Sequence, residues 1–208
     1  RIHRVAIVGF PGSISLVITK MLHERGIDLI LVSRRKTAFL NKFLDSVREG
    51  PGSIEITQDI GSALKKARIV FTATSAGDII DQGMLLPGSV VFDIAQPKDV
   101  VYRKKPRRDV LIIDAGLISM PRSTTTIYRY SGWLGNDIPS CLGETIALSF
   151  ENRWENFSLG RELTVENVRE IGELSRRHGF VFDDFRTFER PIDPDHFAAA
   201  KRALHQAC

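Results

Sequence analysis

The chain has 208 residues, 43% of them hydrophobic and 26% charged, with a formal net charge of +4. That is ordinary globular composition, enough for one good core and a smaller annex, and so mild a charge gives no reason to expect nucleic acid as a partner. No apolar run approaches the roughly 18 residues of a membrane span, and residues 1–4 do not begin a signal peptide, so a soluble cytoplasmic protein is expected. The first residue is Arg rather than Met, as expected of a piece of a longer protein.

In chain order, residues 4–10 (RVAIVGF) form a short Val/Ile-rich run ending near glycine, which reads as a buried parallel strand. Residues 13–25 follow with helical spacing, Ile14, Val17, Ile18 and Met21 making one apolar face. Strand-like runs then recur at 28–33 (DLILVS), 53–57 (SIEIT), 68–72 (RIVFT), 89–93 (SVVFD) and 110–114 (VLIID). Residues 36–48 and 60–66 suit helices, and Gly50-Pro51-Gly52 marks a turn. Strands alternating with helices predict an α/β fold of the Rossmann type, a doubly wound parallel sheet.

From 115 to 137 the sequence is polar and irregular, with one strand expected at 127–130. From Pro139 the pattern is helical, Leu142, Ile146, Phe150 and Trp154 recurring every fourth residue. A second helix is expected over 165–178, capped by Thr164 and ended by Gly179, and a last one near Pro194. The expected division is a Rossmann domain over 1–136 and a C-terminal helical annex over 137–208.

Gly9-Phe10-Pro11-Gly12-Ser13-Ile14-Ser15 stands where the first strand turns into the first helix. The dinucleotide fingerprint needs glycine there for the tight turn and for backbone approach to a pyrophosphate, which the helix N-terminus then holds. Here the form is G-x-x-G-x-x-S, so Gly9, Gly12, Ser13 and Ile14 are the candidate phosphate-turn residues. The second strand ends in Ser33-Arg34-Arg35-Lys36, where an NAD site usually has an acid for the ribose 2′-OH. Two arginines suit a 2′-phosphate instead, which favours NADP(H). Thr74 and Ser75 end the fourth strand, at the edge where ligands bind, and Asp93 ends the fifth. Asp93 reads equally as a functional group or as a satisfied turn carboxylate.

Two cysteines cannot make a disulfide framework; Cys208 is the last residue and Cys141 is the one to explain. With Pro139 at the first helical position and Ser140 or Asp137 as cap, Cys141 falls in a first helical turn, whose dipole favours the reactive thiolate. Taken alone, a buried structural cysteine competes with that reading. Glu144, one turn on, orients substrate or supports the helix start. No His/Cys pair has metal-ligand spacing, so no metal is expected. Arg103, Lys104, Lys105, Arg107 and Arg108 form a basic cluster, read either as a solvated loop or as a docking patch for an acidic carrier protein. Arg176-Arg177-His178-Gly179 is a good helix end, which accounts for His178 better than a proton-donor role.

Cys141-x-x-Glu144, Phe150-Glu151, Asn156-Phe157-Ser158-x-Gly160-Arg161, Thr164, Ile171-Gly172 and His178-Gly179-Phe180 together resemble the carboxyl-terminal region of the long-chain acyl-ACP reductases. Upstream, Val5-Ala6-Ile7-Val8-Gly9 with Gly12, and Pro97-Lys98, fit the same family. The resemblance implies NADPH-dependent formation of fatty aldehydes, with Cys141 carrying the acyl group and an acyl-ACP or acyl-CoA thioester as substrate. Ser15 departs from the family's last phosphate-turn glycine, and the residues around Gly143 are less bulky than a neighbouring fatty chain suggests. The family's further amino-terminal domain, which helps enclose the acyl chain, is not among these residues, so chain length stays open.

Two other functions compete. One is an NADP-dependent dehydrogenase of a small alcohol or keto acid, like the shikimate-type enzymes, with Lys98 and Asp93 as acid/base candidates. The other is a non-catalytic cofactor-binding module of a larger protein.

Overall fold

The computed structural model describes residues 4–34, 38–47, 50–121, 137–160, 163–182 and 185–206. They form two compact units, one of residues 1–113 with 192–208 and the other of residues 114–191.

The first unit is built on a six-stranded sheet of β1 (Arg4–Val8), β2 (Asp28–Val32), β3 (Ile54–Thr57), β4 (Ile69–Thr72), β5 (Val90–Asp93) and β6 (Leu111–Asp114), in the order β3-β2-β1-β4-β5-β6. The pairings of β1 with β2 and β4, of β2 with β3 and of β4 with β5 are parallel. This is the doubly wound order in which the chain reverses between β1 and β4, opening a crevice at the carboxyl ends of those strands. The α/β fold and all six expected strands are therefore present.

Helices α1 (Ser13–His23), α2 (Ala38–Val47) and α3 (Ile60–Leu64) link the first four strands. Val5, Ile7, Leu29 and Leu31 meet Leu16 of α1 and Leu40 and Phe43 of α2 in one buried cluster. Ala6 and Ile30, which alternation points to the other face, are also fully buried. Covering both faces is why these strands read as continuous apolar runs. Each fully buried Ile or Leu contributes about 1.5–3 kcal/mol relative to an exposed one.

One expectation for α1 is corrected. Ile14 is exposed, and the buried stripe runs through Ser15, Thr19 and His23 alongside Leu16 and Val17. Those polar residues lie four apart, and two have side-chain partners: Thr19 Oγ1 donates to the Ser15 carbonyl at 2.7 Å, and His23 Nε2 donates to the Gly52 carbonyl at 3.0 Å. A Cβ at Gly50 would collide with the His23 ring at 1.7 Å, which explains the glycine in that turn.

The last helix, α6 (Pro194–Gln206), belongs to the sheet unit. His196 Nε2 donates to the Val110 carbonyl at 2.8 Å, and the Leu204 backbone lies where a Cβ on Gly88 would go. The division therefore differs from a simple cut at 136/137, because residues 192–206 return to the sheet after the second unit.

The second unit joins β7 (Leu117–Ser119) and β8 (Asp137–Pro139) as an antiparallel ribbon, followed by α4 (Ser140–Phe150) and α5 (Val165–Arg177). A short hairpin, β9 (Arg186–Thr187) with β10 (Arg190–Pro191), completes it. Met120, Ile138, Ala147 and Phe180 form its buried centre, and Leu148, Phe157 and Leu174 pack between α4 and α5. Thr164 caps α5 by accepting from Asn167 N at 3.1 Å, as expected. The strand expected at 127–130 lies outside the described residues. Among the described residues, no helix is long and apolar enough to cross a membrane.

Candidate functional site

The turn after β1 has the geometry its glycines predict. Gly9 has φ +99°, and a Cβ there would lie 2.5 Å from the Ala73 carbonyl oxygen. Gly12 N donates to the Gly9 carbonyl and Leu16 N to the Gly12 carbonyl, each at 2.8 Å. Gly12 is the extended N-cap of α1, with no side-chain cap and no acidic residue in the first turn. The first-turn N–H groups, those of Ser13 and Ile14 included, therefore meet no competing carboxylate from their own turn. Ser15 Oγ is buried with no hydrogen-bond partner among the described residues, 3.8 Å from where a Gly12 Cβ would stand. A tight cradle that a Cβ would fill, beside an unsatisfied hydroxyl, fits a dinucleotide's phosphates.

At the end of β2, Ser33 is buried and its N–H donates to the Thr57 carbonyl at 3.0 Å. Arg34 is exposed, and its carbonyl accepts from Gln58 Nε2 at 3.3 Å. Arg35, the second arginine expected at the 2′-phosphate, lies outside the described residues.

Two buried aspartates organise the loops after β4 and β5, and Asp99 joins the two. Asp99, which sequence reasoning did not single out, accepts from Thr72 Oγ1 at 2.5 Å, Thr74 Oγ1 at 2.5 Å and Thr74 N at 3.0 Å. The amides of Ile79 and Ile80 donate to the Asp99 carbonyl, and Asp78 N donates to that of Lys98. Asp93 accepts from Ala95 N at 3.1 Å and Val100 N at 2.9 Å. Burial raises its carboxyl above the ordinary range, against those hydrogen bonds and the Lys98 charge. Asp93 thus shapes its own loop, and the Thr74 hydroxyl is engaged with Asp99; Ser75, Ala76, Asp78, Gln96 and Pro97 are the exposed residues of these loops. Lys98 Nζ donates to the Asp93 carbonyl at 3.1 Å.

In the second unit, Cys141 is a free, exposed cysteine in the first turn of α4. The helix begins at Ser140 with Pro139 as its cap residue. Neither expected side-chain cap operates: Asp137 instead pairs with Arg186 and accepts from Ser119 Oγ. Glu144 accepts from Ser158 Oγ at 2.5 Å, and Asn167 Nδ2 donates to the Phe157 carbonyl at 2.9 Å. These contacts give the Asn-Phe-Ser stretch a physical role, tying its loop to α4 and α5. Ile118 and Ile138 pack toward α4, and a Cβ on Gly143 would strike Ile118 at 2.2 Å. Ser119, Asp137 and Arg186 line a separate cleft of about 180 Å³ with Asp114 and Phe182. His178 Nε2 contacts Glu151 at 2.7 Å at the end of α5.

The basic cluster is largely neutralised. Arg103 pairs with Asp81, Arg107 with Asp109 and Arg108 with Asp193, leaving Lys104 and Lys105 as its exposed remainder. Among the described residues, no group of three or more His, Cys, Asp or Glu is placed to hold a metal ion.

A family model described as shikimate / quinate 5-dehydrogenase matches residues 1–122, the stretch carrying the sheet and the glycine turn. Domains of that family bind NADP, in keeping with the cradle described above. Over 208 residues the chain is 37% identical to the aminotransferase PigE of a Serratia species, a match covering 97% of this chain and 24% of that protein. It is 28% identical over 184 residues to a long-chain acyl-[acyl-carrier-protein] reductase of Synechococcus elongatus, covering 85% of this chain and 52% of that protein. The chain thus spans about a quarter of the one relative and about half of the other.

Proposed function

The chain belongs to the shikimate / quinate 5-dehydrogenase family, and on that premise we propose that it reduces an acyl thioester to an aldehyde with NADPH, through a thioester on Cys141. The family membership makes it an NADP-binding oxidoreductase domain. The acyl-thioester reading is carried by one observation, the free and exposed Cys141 in the first turn of α4, with Glu144 one turn on and braced by Ser158. The similarity to an acyl-ACP reductase across 85% of the chain supports it.

In this reading the unit of residues 1–113 with 192–208 holds the cofactor, and the unit of residues 114–191 carries Cys141. Gly9 and Gly12 let the backbone approach the pyrophosphate, the amides of Ser13 and Ile14 donate to it, and Arg34 with Arg35 takes the 2′-phosphate. Cys141 Sγ attacks the donor's carbonyl carbon; a new C–S bond forms, the donor's C–S bond breaks, and the donor leaves as a free thiol. When bound, NADPH supplies the hydride for the acyl carbon. Cys141 is released as thiolate with the aldehyde, and one proton from solvent balances the turnover. Glu144 orients the donor's carbonyl. The donor is a CoA or carrier-protein thioester, and the basic cluster of residues 103–108, whose Arg103, Lys104, Lys105 and Arg108 are exposed, meets an acidic carrier.

The family model itself favours a second reading, a dehydrogenase of a small alcohol or keto acid. That reading needs an acid/base at Lys98 or Asp93, and the engagement of Asp93 within its own loop weighs against it. The test is aldehyde formation from acyl-CoA and NADPH by the wild type and Cys141→Ala. The proposal expects aldehyde from the wild type alone. Aldehyde from both would overturn the covalent route, and oxidation of NADPH only by keto acids, insensitive to thiol-blocking reagent, would establish the second reading.

A further inference from the structure

One of the two fully buried carboxylates at the sheet's carboxyl edge, Asp99, has no place in the chemistry above. Asp99 is fully buried, and it lies 25 to 27 residues from the threonines that donate to it. A buried carboxylate is costly unless its lone pairs are satisfied, and here three donors from the β4 end supply that. Its Oδ2 takes Thr72 Oγ1 and Thr74 N, while Oδ1 takes Thr74 Oγ1, whose oxygen in turn accepts from Ala76 N at 3.1 Å.

The residue between those two threonines is Ala73. Its carbonyl oxygen covers Gly9, 2.5 Å from a Cβ built there, and the Thr74 methyl lies 3.0 Å from the same point. Ala73 N also donates to the Val8 carbonyl at 3.1 Å. Asp99 therefore fixes the peptide that closes over the phosphate turn and, through its own carbonyl and that of Lys98, fixes the loop as far as Ile80.

We propose that Asp99 is a positioning residue for the nicotinamide half of the dinucleotide, a latch holding the β4 and β5 loops in the shape that receives it. The sheet order assigns the halves. In a doubly wound sheet of this order the first mononucleotide-binding half, β1 to β3, takes the adenine end, and the half beginning at β4 takes the other. The side-chain bonds of the latch all lie within the second half, and it reaches the phosphate turn of the first half only indirectly, through Ala73. It rests on NADP binding by the domain and not on the acyl-thioester reading.

The test is fluorescence and calorimetric titration of the chain with NADPH and, separately, with 2′,5′-ADP, which carries the adenine end alone. Asp99→Ala should weaken NADPH binding by about tenfold or more while changing 2′,5′-ADP binding by less than about threefold. Asp99→Asn should restore NADPH binding, because an amide nitrogen at the Oδ1 position donates to Thr74 Oγ1 while the remaining oxygen keeps the other two donors. A purely structural role would weaken both ligands alike, and that result, or unchanged binding of both, overturns the proposal. So would an Asn variant that binds NADPH as poorly as the Ala variant. If Asp99→Ala does not fold, Thr74→Val removes one of the three donors and must show the same split between ligands in smaller degree; equal effects on both would overturn the latch.

Discussion

Ser15 Oγ is buried in the first turn of α1, where a dinucleotide fold commonly has glycine for close packing. A buried hydroxyl without a partner is costly, and a phosphate or its bridging water would relieve that cost. Ser15→Ala is therefore expected to leave the thermal stability of the ligand-free chain unchanged or slightly raised, and to weaken NADPH binding about three- to tenfold. Calorimetric titration with a melting curve of each protein checks this; unchanged affinity would mean the hydroxyl does not serve the cofactor. At this scale the sequence made Gly9 and Gly12 legible because a tight turn admits few residues. Asp99 was not legible, because its donors at 72 and 74 are distant in sequence and nothing local marks a carboxylate as a receiver. Asp93 was ambiguous for a different reason: a carboxylate at a strand end serves a turn or a ligand equally well in sequence, and its contacts with Ala95 and Val100 make it a loop-shaping group.

Elements with an apolar run and a clear stop were readable: each of the six sheet strands falls within its expected span, trimmed by one or two residues. The ribbon of β7 and β8 was not, because three-residue strands carry too little periodicity. Spacing alone also misled on α4. Leu142, Ile146, Phe150 and Trp154 suggested one continuous helix, yet α4 ends at Phe150, Trp154 is 80% exposed, and the buried side is Gly143, Ala147 and Leu148. Where α4 ends, Glu151 meets His178 and Arg177, and the His178 hydrogen bond holds its carboxyl below the ordinary value of 4.5. A carboxyl held low in the fold adds stability above that ordinary value, which is lost as pH falls through its folded value. Melting curves of Glu151→Gln should show a modest deficit at pH 7 that shrinks as pH falls below the ordinary value of 4.5; a deficit constant with pH would assign the effect to packing. Arg107 makes a second element-scale case. Its guanidinium donates to the Gln82 and Leu85 carbonyls at 2.9 Å each as well as to Asp109. Arg107→Ala is expected to cost about 1–3 kcal/mol in urea unfolding, whereas Lys104→Ala and Lys105→Ala should stay within about 0.5 kcal/mol. Equal effects would mean that the cluster acts as one charged surface.

Across the whole molecule, the strand order and the glycine turn belong to one unit, and Cys141, the proposed nucleophile, belongs to the other. That separation was partly legible: the change of pattern after Asp114 marked a second unit, but no local signal tells that 192–206 folds back onto the sheet. The basic cluster read either as a solvated loop or as a docking patch, and only the fold shows Asp81, Asp109 and Asp193 as partners for its arginines. Cys141 is where the account is most exposed to test. Intact-protein mass spectrometry after incubation with a long-chain acyl-CoA, on the wild type and Cys141→Ala in parallel, reads its role directly. One acyl adduct is expected on the wild type only, discharged as aldehyde when NADPH is added; no adduct on a wild type that still binds NADPH, or an adduct that persists in Cys141→Ala, would overturn the role of Cys141.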